Sequence, residues 1–459
     1  MKYGLNLSWN QILEDSQTLA MVREYLPALE IMVQKYPRMK ELSLRALSKY
    51  VKEYCPEEQV RELETCLVAY GKTKGLTAEE TKKVAFYREM FSHEKKTNAI
   101  KEKTQKYKSF HPGQPWYDTN GNRIQAHGGA VFYEAGNYYW YGENKEYTDG
   151  ENPIWTWGIR VYKSTDLYNW EDLGYIVKPD VENPDSNLFP EKYIDRPHII
   201  KCEKTGRYVM WIKVSGVESC FVILQANEFM GPYEVVVEDY YPLGNSAGDF
   251  DIVVDSETKN AYLYQSADHT NLYTYLLSED YLSVDRKIAS HYTNLMPPFC
   301  REGIAMCQNG EKKYMVTSGM TGYTPNQSDY AVALNWEDEF VSQGDPHVND
   351  ESMSSFNSQI SKIFKVEGKE NLYIAMADRW MPNDLLDYKQ AEAIRRVVAS
   401  KYQPDMYSAT EEEKKMFAAR PDLERANTSI ADYVWLPILF ENEKMHIAWQ
   451  DEWRIEDYL

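Results

Sequence analysis

Five segments of this chain follow one plan, and that repetition restricts the fold more than any other feature. Each has a polar residue, an apolar strand, a turn, and a second strand carrying Tyr or Trp. Gly128 to Phe132 leads to Tyr138 to Tyr141, and Arg196 to Ile200 leads to Tyr208 to Trp211. Asp249 to Val253 leads to Ala261 to Tyr264, Glu302 to Met306 leads to Lys313 to Val316, and Gln359 to Ile363 leads to Leu372 to Ala375. Successive starts lie about 50 to 70 residues apart, the size of a four-stranded blade. Further strand-like runs follow the hairpins, such as Ile159 to Lys163 and Trp170 to Leu173. A β-sandwich gives no reason for one hairpin to recur five times. The expected fold is an all-β five-bladed β-propeller.

The period of two begins only after Trp116. Before it the sequence reads as helices, with capping boxes at Ser8/Gln11 and Thr77/Glu80, Pro56 in a first turn, and Gly71 as a stop. Lys95 to Lys108 is basic and polar, as an exposed helix or linker would be, and His111-Pro112-Gly113-Gln114-Pro115 breaks the pattern. The expected organisation is a small all-α accessory domain over 1–108 and the propeller over 109–459. A helical insertion over about 384–432 interrupts the fifth blade, read as an excursion on one face that can serve as a lid.

Charge and cysteine usage narrow the function classes. A formal net charge of −20 repels polyanions, so neither nucleic acid nor an anionic membrane is an expected partner. No apolar run reaches the roughly 18 residues of a transmembrane helix, and Met1 to Asn10 lacks the basic and apolar regions of a signal peptide. The six cysteines show no CxxC or metal-finger spacing and read as buried thiols, so a cytoplasmic location is expected. The 37 Tyr and 12 Trp suit half-apolar, half-hydrogen-bonding surfaces such as sugars, although all-β cores use them equally well.

In a propeller the first residues of the innermost strands meet at one end of the axis. Here these are Gln125 to His127, Asp195, Asp249, Glu302 and Gln359. Paired carboxylates in one cleft are what glycosidic hydrolysis needs. One must stay protonated, and burial beside Asp195 and Asp249 would do that for Glu302. Arg301 would oppose it if it pointed inward, but its place on the strand directs it away.

These segments resemble glycoside hydrolase family 43, most closely its exo-β-1,3-galactanase branch, along the propeller from about Trp116 to Trp453. The stretches that carry the resemblance are Asp118 to Gly129, Tyr138 to Lys145, Ser164 to Leu167 with Asn169-Trp170, Arg301-Glu302, Thr317 to Gly319 with Thr321-Gly322 and Pro325-Asn326, Asn357 to Gln359, Met376 to Trp380, and Tyr433 to Pro437. The resemblance implies an inverting exo-glycosidase acting on terminal β-1,3-linked galactose of oligosaccharides. Glu302 is implied as the general acid and Asp249 as the carboxylate that tunes it. Gln359 is implied to position or activate water, since the first blade lacks the aspartate base usual in the family. Asp195, Glu143, Tyr141, His127, Asn271 and Thr321 are the implied sugar contacts, with core packing an equal reading for Tyr141.

Three departures touch the expected sugar pocket, one of them at Gly303-Ile304, where the small residues that follow the acid differ. Asp195 stands where the branch has Glu, and Gly248 stands where it has Arg. A family 43 arabinofuranosidase or xylosidase, or a non-catalytic glycan-binding propeller, are therefore the competing readings. No cofactor is expected. The family sometimes holds a calcium near the axis, for which His127 is the candidate. No carbohydrate-binding module follows the propeller, so small oligosaccharides inside the cell are the expected substrates.

Overall fold

The computed structural model describes residues 3–97, 106–216, 218–267, 269–421 and 426–459. The chain divides into two compact units, one of residues 1–97 with 180–189, the other of 98–179 with 190–459. Most of the expected linker over Lys95 to Lys108 lies outside the described residues.

The first unit is helical. Ser8 and Gln11 close a reciprocal capping box on Trp9–Glu14, satisfying backbone donors that would otherwise be orphaned. Asp15 caps Ser16–Tyr25, and Thr77 and Glu80 exchange the same pair of bonds ahead of Ala78–Thr97. Leu63 and Leu67 lie one turn apart on Glu57–Gly71, so both face inward and pack in one core with Trp9, Ile12, Leu26 and Leu47. That helix ends at Gly71, where a Cβ would approach the Tyr3 side chain to 2.7 Å.

The second unit is a five-bladed β-propeller. Blade one is His127–Glu134, Asn137–Glu143, Ile159–Ser164 and Glu171–Val177; blade two is Tyr193–Cys202, Arg207–Ser215, Cys220–Ala226 and Glu234–Tyr240. Blade three is Phe250–Val254, Ala261–Ala267, Asn271–Leu277 and Val284–His291; blade four is Arg301–Asn309, Lys312–Gly319, Ser328–Ala333 and Val341–Gly344. Blade five is Gln359–Lys365, Tyr373–Arg379, Asp432–Glu441 and Lys444–Ala448, with His347–Val348 added in parallel at its outer edge. Within each blade the four main strands pair antiparallel in chain order. The inner strands touch their neighbours in sequence, and the fifth returns to the first.

Closure is made by aromatic packing and a short bridge. Phe110 and Trp453 exchange backbone hydrogen bonds of 2.9 and 3.2 Å, and their rings stack at 4.2 Å. Trp140, Trp170, Trp435 and Tyr433 fill the seam between blades one and five. The insertion forms Tyr388–Tyr402 and Glu411–Ala418, each opened by a capping box, at Asp387/Gln390 and Thr410/Glu413. Ala391 and Ile394 pack on Leu386, whose backbone is held by both amide atoms of Asn357. Among the described residues no helix is long and apolar enough to cross a membrane.

Candidate active site

Four of the five inner strands break register near their first residues, at His127/Ala130, Asp195/His198, Glu302/Ala305 and Ile360/Lys362. Such bulges re-aim the side chains beside them. Three of the irregular stretches use a left-handed residue, Gly128 at φ +58, Arg196 at φ +52 and Gly303 at φ +61. At Gly303 a Cβ would press on Ser318 Oγ and the Gln359 amide at about 3 Å, which is why a small residue follows Glu302.

The result is a cavity of about 160 Å³, roughly the volume of five waters. Every blade lines it. Gly128 and Glu143 come from blade one; Asp195, Arg196 and Lys213 from blade two; Asp249 from blade three; Glu302 with the Gly322-Tyr323 loop from blade four. Gln359, Asp378 and Trp380 come from blade five.

Asp249 is held by two cations and a backbone amide. Its Oδ1 accepts from Lys213 Nζ at 2.9 Å and its Oδ2 from Gly303 N at 3.0 Å, and Arg196 Nε forms an ion pair with Oδ2 at 3.0 Å. Burial disfavours its charge, but the two cations outweigh burial and hold the carboxyl well below the usual range. Glu302 behaves in the opposite way. Burial first, then the charge of Asp249, pushes it up to about 8, against the weaker pull of Lys213, Arg196 and Arg301. Arg301 points away, bonding Thr317 Oγ1 at 2.9 Å and Thr317 O at 2.8 Å.

Glu143 is the second carboxyl displaced upward, to about 7. Burial is the main cause and Asp195 adds to it, while Lys145, 2.9 Å from Glu143 Oε2, opposes. Glu143 Oε1 accepts from the Arg196 backbone N–H at 3.0 Å. Asp195 accepts from Trp155 Nε1 at 3.0 Å and Ser215 Oγ at 2.8 Å, with Lys213 Nζ 3.4 Å away. Gln359 is clamped from both ends: Arg196 Nη2 donates to its Oε1 at 2.7 Å, and its Nε2 donates to Ser318 Oγ at 2.7 Å. Arg196 Nη1 is buried without a partner.

The other residues singled out from sequence stand outside the cavity lining. The Tyr141 hydroxyl accepts from Ile199 N at 2.8 Å inside the core, so packing is its role. Asn271 bonds Thr270 and the backbone of Asn294. Thr321 Oγ1 donates to Thr324 O at 2.8 Å and shapes the loop that carries Tyr323. Gln125 is buried, its Nε2 donating to Ser429 O. His127 lies beneath Asp378, with Nδ1 2.9 Å from Asp378 Oδ1, Nε2 3.2 Å from the Tyr433 hydroxyl, and its ring stacked on Tyr433. With both nitrogens engaged it does not fit a calcium ligand, and among the described residues no group of three or more His, Cys, Asp or Glu side chains could hold a metal.

Lys213, Arg196, Tyr323 and Trp155 are site residues that the sequence reading missed. Lys213 had a signal, being the one charge inside the apolar run Val209 to Val214. Trp155 had none, since only the folded loop turns its indole onto Asp195.

The model for glycosyl hydrolases family 43 matches residues 125–381. The chain belongs to family 43. Its propeller is similar to solved members of the family. A family 43 β-1,3-galactosidase is 26% identical, with a TM-score of 0.61, over 77% of this chain and 65% of that one. A second β-1,3-galactosidase of the family, solved with galactodeoxynojirimycin, is 22% identical, with a TM-score of 0.60, over 75% of this chain and all of that one. An exo-β-1,3-galactanase from Phanerochaete chrysosporium, solved with β-1,3-galactotriose, is 20% identical, with a TM-score of 0.59, over 76% and 68%. The chain thus spans less than two thirds of the length of the first, 65%, and 68% of the third. No curated protein matches this family 43 chain.

Proposed function

We propose that this protein is an inverting exo-glycosidase that releases terminal β-1,3-linked galactose from oligosaccharides. The observation that carries the reading is the split between two neighbouring carboxyls in a cavity of single-sugar size. Glu302 is held protonated by burial and the charge of Asp249, and Asp249 is held ionised by Arg196 and Lys213. Glu302 donates its proton to the leaving glycosidic oxygen. Asp249 keeps that proton in place until bond cleavage and faces the sugar. Gln359, tied to Arg196 and Ser318, presents its amide to the attacking water. A cavity of about 160 Å³ has room for little more than one ring, which supports exo action. The solved relatives named above act on β-1,3-linked galactose, and this supports the choice of sugar. Six free cysteines support a reducing compartment.

The test is release of sugar from β-1,3-galactobiose and galactotriose, with the product anomer resolved. Wild type is expected to form α-galactose first. Glu302→Gln is expected to lose about 10²–10⁴-fold in kcat. Faster turnover of an aryl arabinofuranoside or xyloside would replace galactose as the substrate. Inertness toward all of these would leave a glycan-binding propeller.

A further inference from the structure

The insertion helix Tyr388–Tyr402 carries two stripes of different character. Ala391, Ile394 and Val398 form the apolar one and pack with Leu386. Glu392, Arg395, Arg396 and Ala399, spaced i, i+3, i+4 and i+7, form the other, and it lines a cleft of about 570 Å³. Blade four makes the opposite wall, with Phe299 ahead of its first strand, Arg301 on that strand, and Asn326-Gln327 ahead of its third. The volume is that of an ordinary ligand site.

The lining has the chemistry of a sugar surface. Glu392 is shared by Arg395 at 3.2 Å and Arg396 at 3.3 Å, and Arg395 Nη1 donates to Met353 O at 2.8 Å. Arg396 also lies 3.5 Å from Glu413. These two cations are matched by two carboxylates, so the helix offers fixed donors and acceptors to hydroxyl groups rather than an unbalanced charge to an ion. Phe299 and Tyr407 meet from opposite walls with ring centroids 5.4 Å apart, and Phe299 is 41% exposed. An open aromatic face beside fixed polar groups takes the C–H face of a sugar ring.

The cleft neighbours the axial cavity through shared pieces of chain. Glu302 lines the cavity and Arg301 the cleft. In the loop before the third strand of blade four, Gly322-Tyr323 line the cavity and Asn326-Gln327 the cleft. Trp380, which also lines the cavity, leads directly into the insertion. Glu302 protonates the leaving oxygen, so the sugars attached to that oxygen depart on the side of blade four, where the cleft lies. We infer that the insertion and blade four form a binding groove for the leaving end of a neutral oligosaccharide, so that chains longer than a disaccharide are favoured.

This inference rests on the proposed hydrolytic function, and chain length separates the two. kcat/KM on β-1,3-galactotetraose and on β-1,3-galactobiose would be measured for wild type, Phe299→Ala, Tyr407→Ala and Tyr407→Phe. Wild type is expected to prefer the tetraose. The ratio of the two constants is expected to fall about three- to tenfold in the alanine variants, through KM, and to hold in Tyr407→Phe, which keeps the ring. Both constants come from one preparation, so their ratio does not depend on the fraction folded. Calorimetric titration of galactotetraose into Glu302→Gln, with and without Tyr407→Ala, is expected to show the same loss in Kd without turnover. No preference for the longer chain, equal losses on both substrates, or an unchanged Kd would each overturn the groove while leaving the glycosidase intact. A wild type inert on every glycoside would remove both.

Discussion

At the scale of single residues, the site works by opposed electrostatics. Asp249 sits between Lys213 and Arg196, so its charge is retained at the cost of two buried cations, and Glu302 feels mainly burial and that charge. A raised acid is protonated below its pKa, so kcat/KM should fall as pH rises through the region near 8. Asp249 is depressed and stays ionised throughout that range. Asp249→Asn removes the charge that raises Glu302 and leaves both cations beside it, so the alkaline limb should move to lower pH. A pH–rate profile of the variant checks this, and an unmoved limb would show that Asp249 does not tune the acid. The same physics explains which of these residues can be read from a linear chain. Glu302, Asp249, Asp195 and Gln359 open strands of a repeat, so their place follows from the period. Lys213 and Trp155 act through partners on other strands, and nothing local records that.

At the scale of elements, the inner strands are built to be irregular where they meet the cavity. A regular ladder would send alternate side chains to opposite faces of the blade. The bulges and the left-handed Gly128, Arg196 and Gly303 turn successive residues toward the axis instead. Arg196 holds this conformation without being glycine, and its left-handed backbone points the peptide N–H at Glu143 and the guanidinium at Gln359 and Asp249. Gly303→Ala would strain a residue at φ +61 and press on the Gln359 amide. The expected outcome is a stability loss of about 1–2 kcal/mol with a larger proportional loss in kcat. Denaturant midpoints and steady-state rates measured together test it; wild-type kcat in a destabilised variant would mean the bulge is only structural. The insertion is an element that announced itself, since its two capping boxes are local signals. Its packing through Leu386 onto Asn357, just before Gln359, is not.

At the scale of the molecule, the ring must close for the site to exist. The carboxyls come from residues spread between Glu143 and Asp378, and they converge only when blade five meets blade one. Phe110 and Trp453 complete that closure. Trp453→Ala, which empties a 2% exposed indole position, should cost about 3–5 kcal/mol and lower the thermal midpoint. A calorimetric midpoint within a degree of wild type would mean that closure does not depend on this stack. The blade count, the helical front and the insertion were legible because strand and helix periods, caps and turns are local chemistry repeated along the chain. The cavity was only half legible. Tyr141, Asn271, Thr321 and His127 carry suitable side chains on suitable strands, yet the tertiary structure turns them into the core, into a loop, or under Asp378. The protonation states of Glu302, Glu143 and Asp249 were decided there too, because burial and the approach of Lys213, Lys145 and Arg196 depend on distances that no one-dimensional pattern contains.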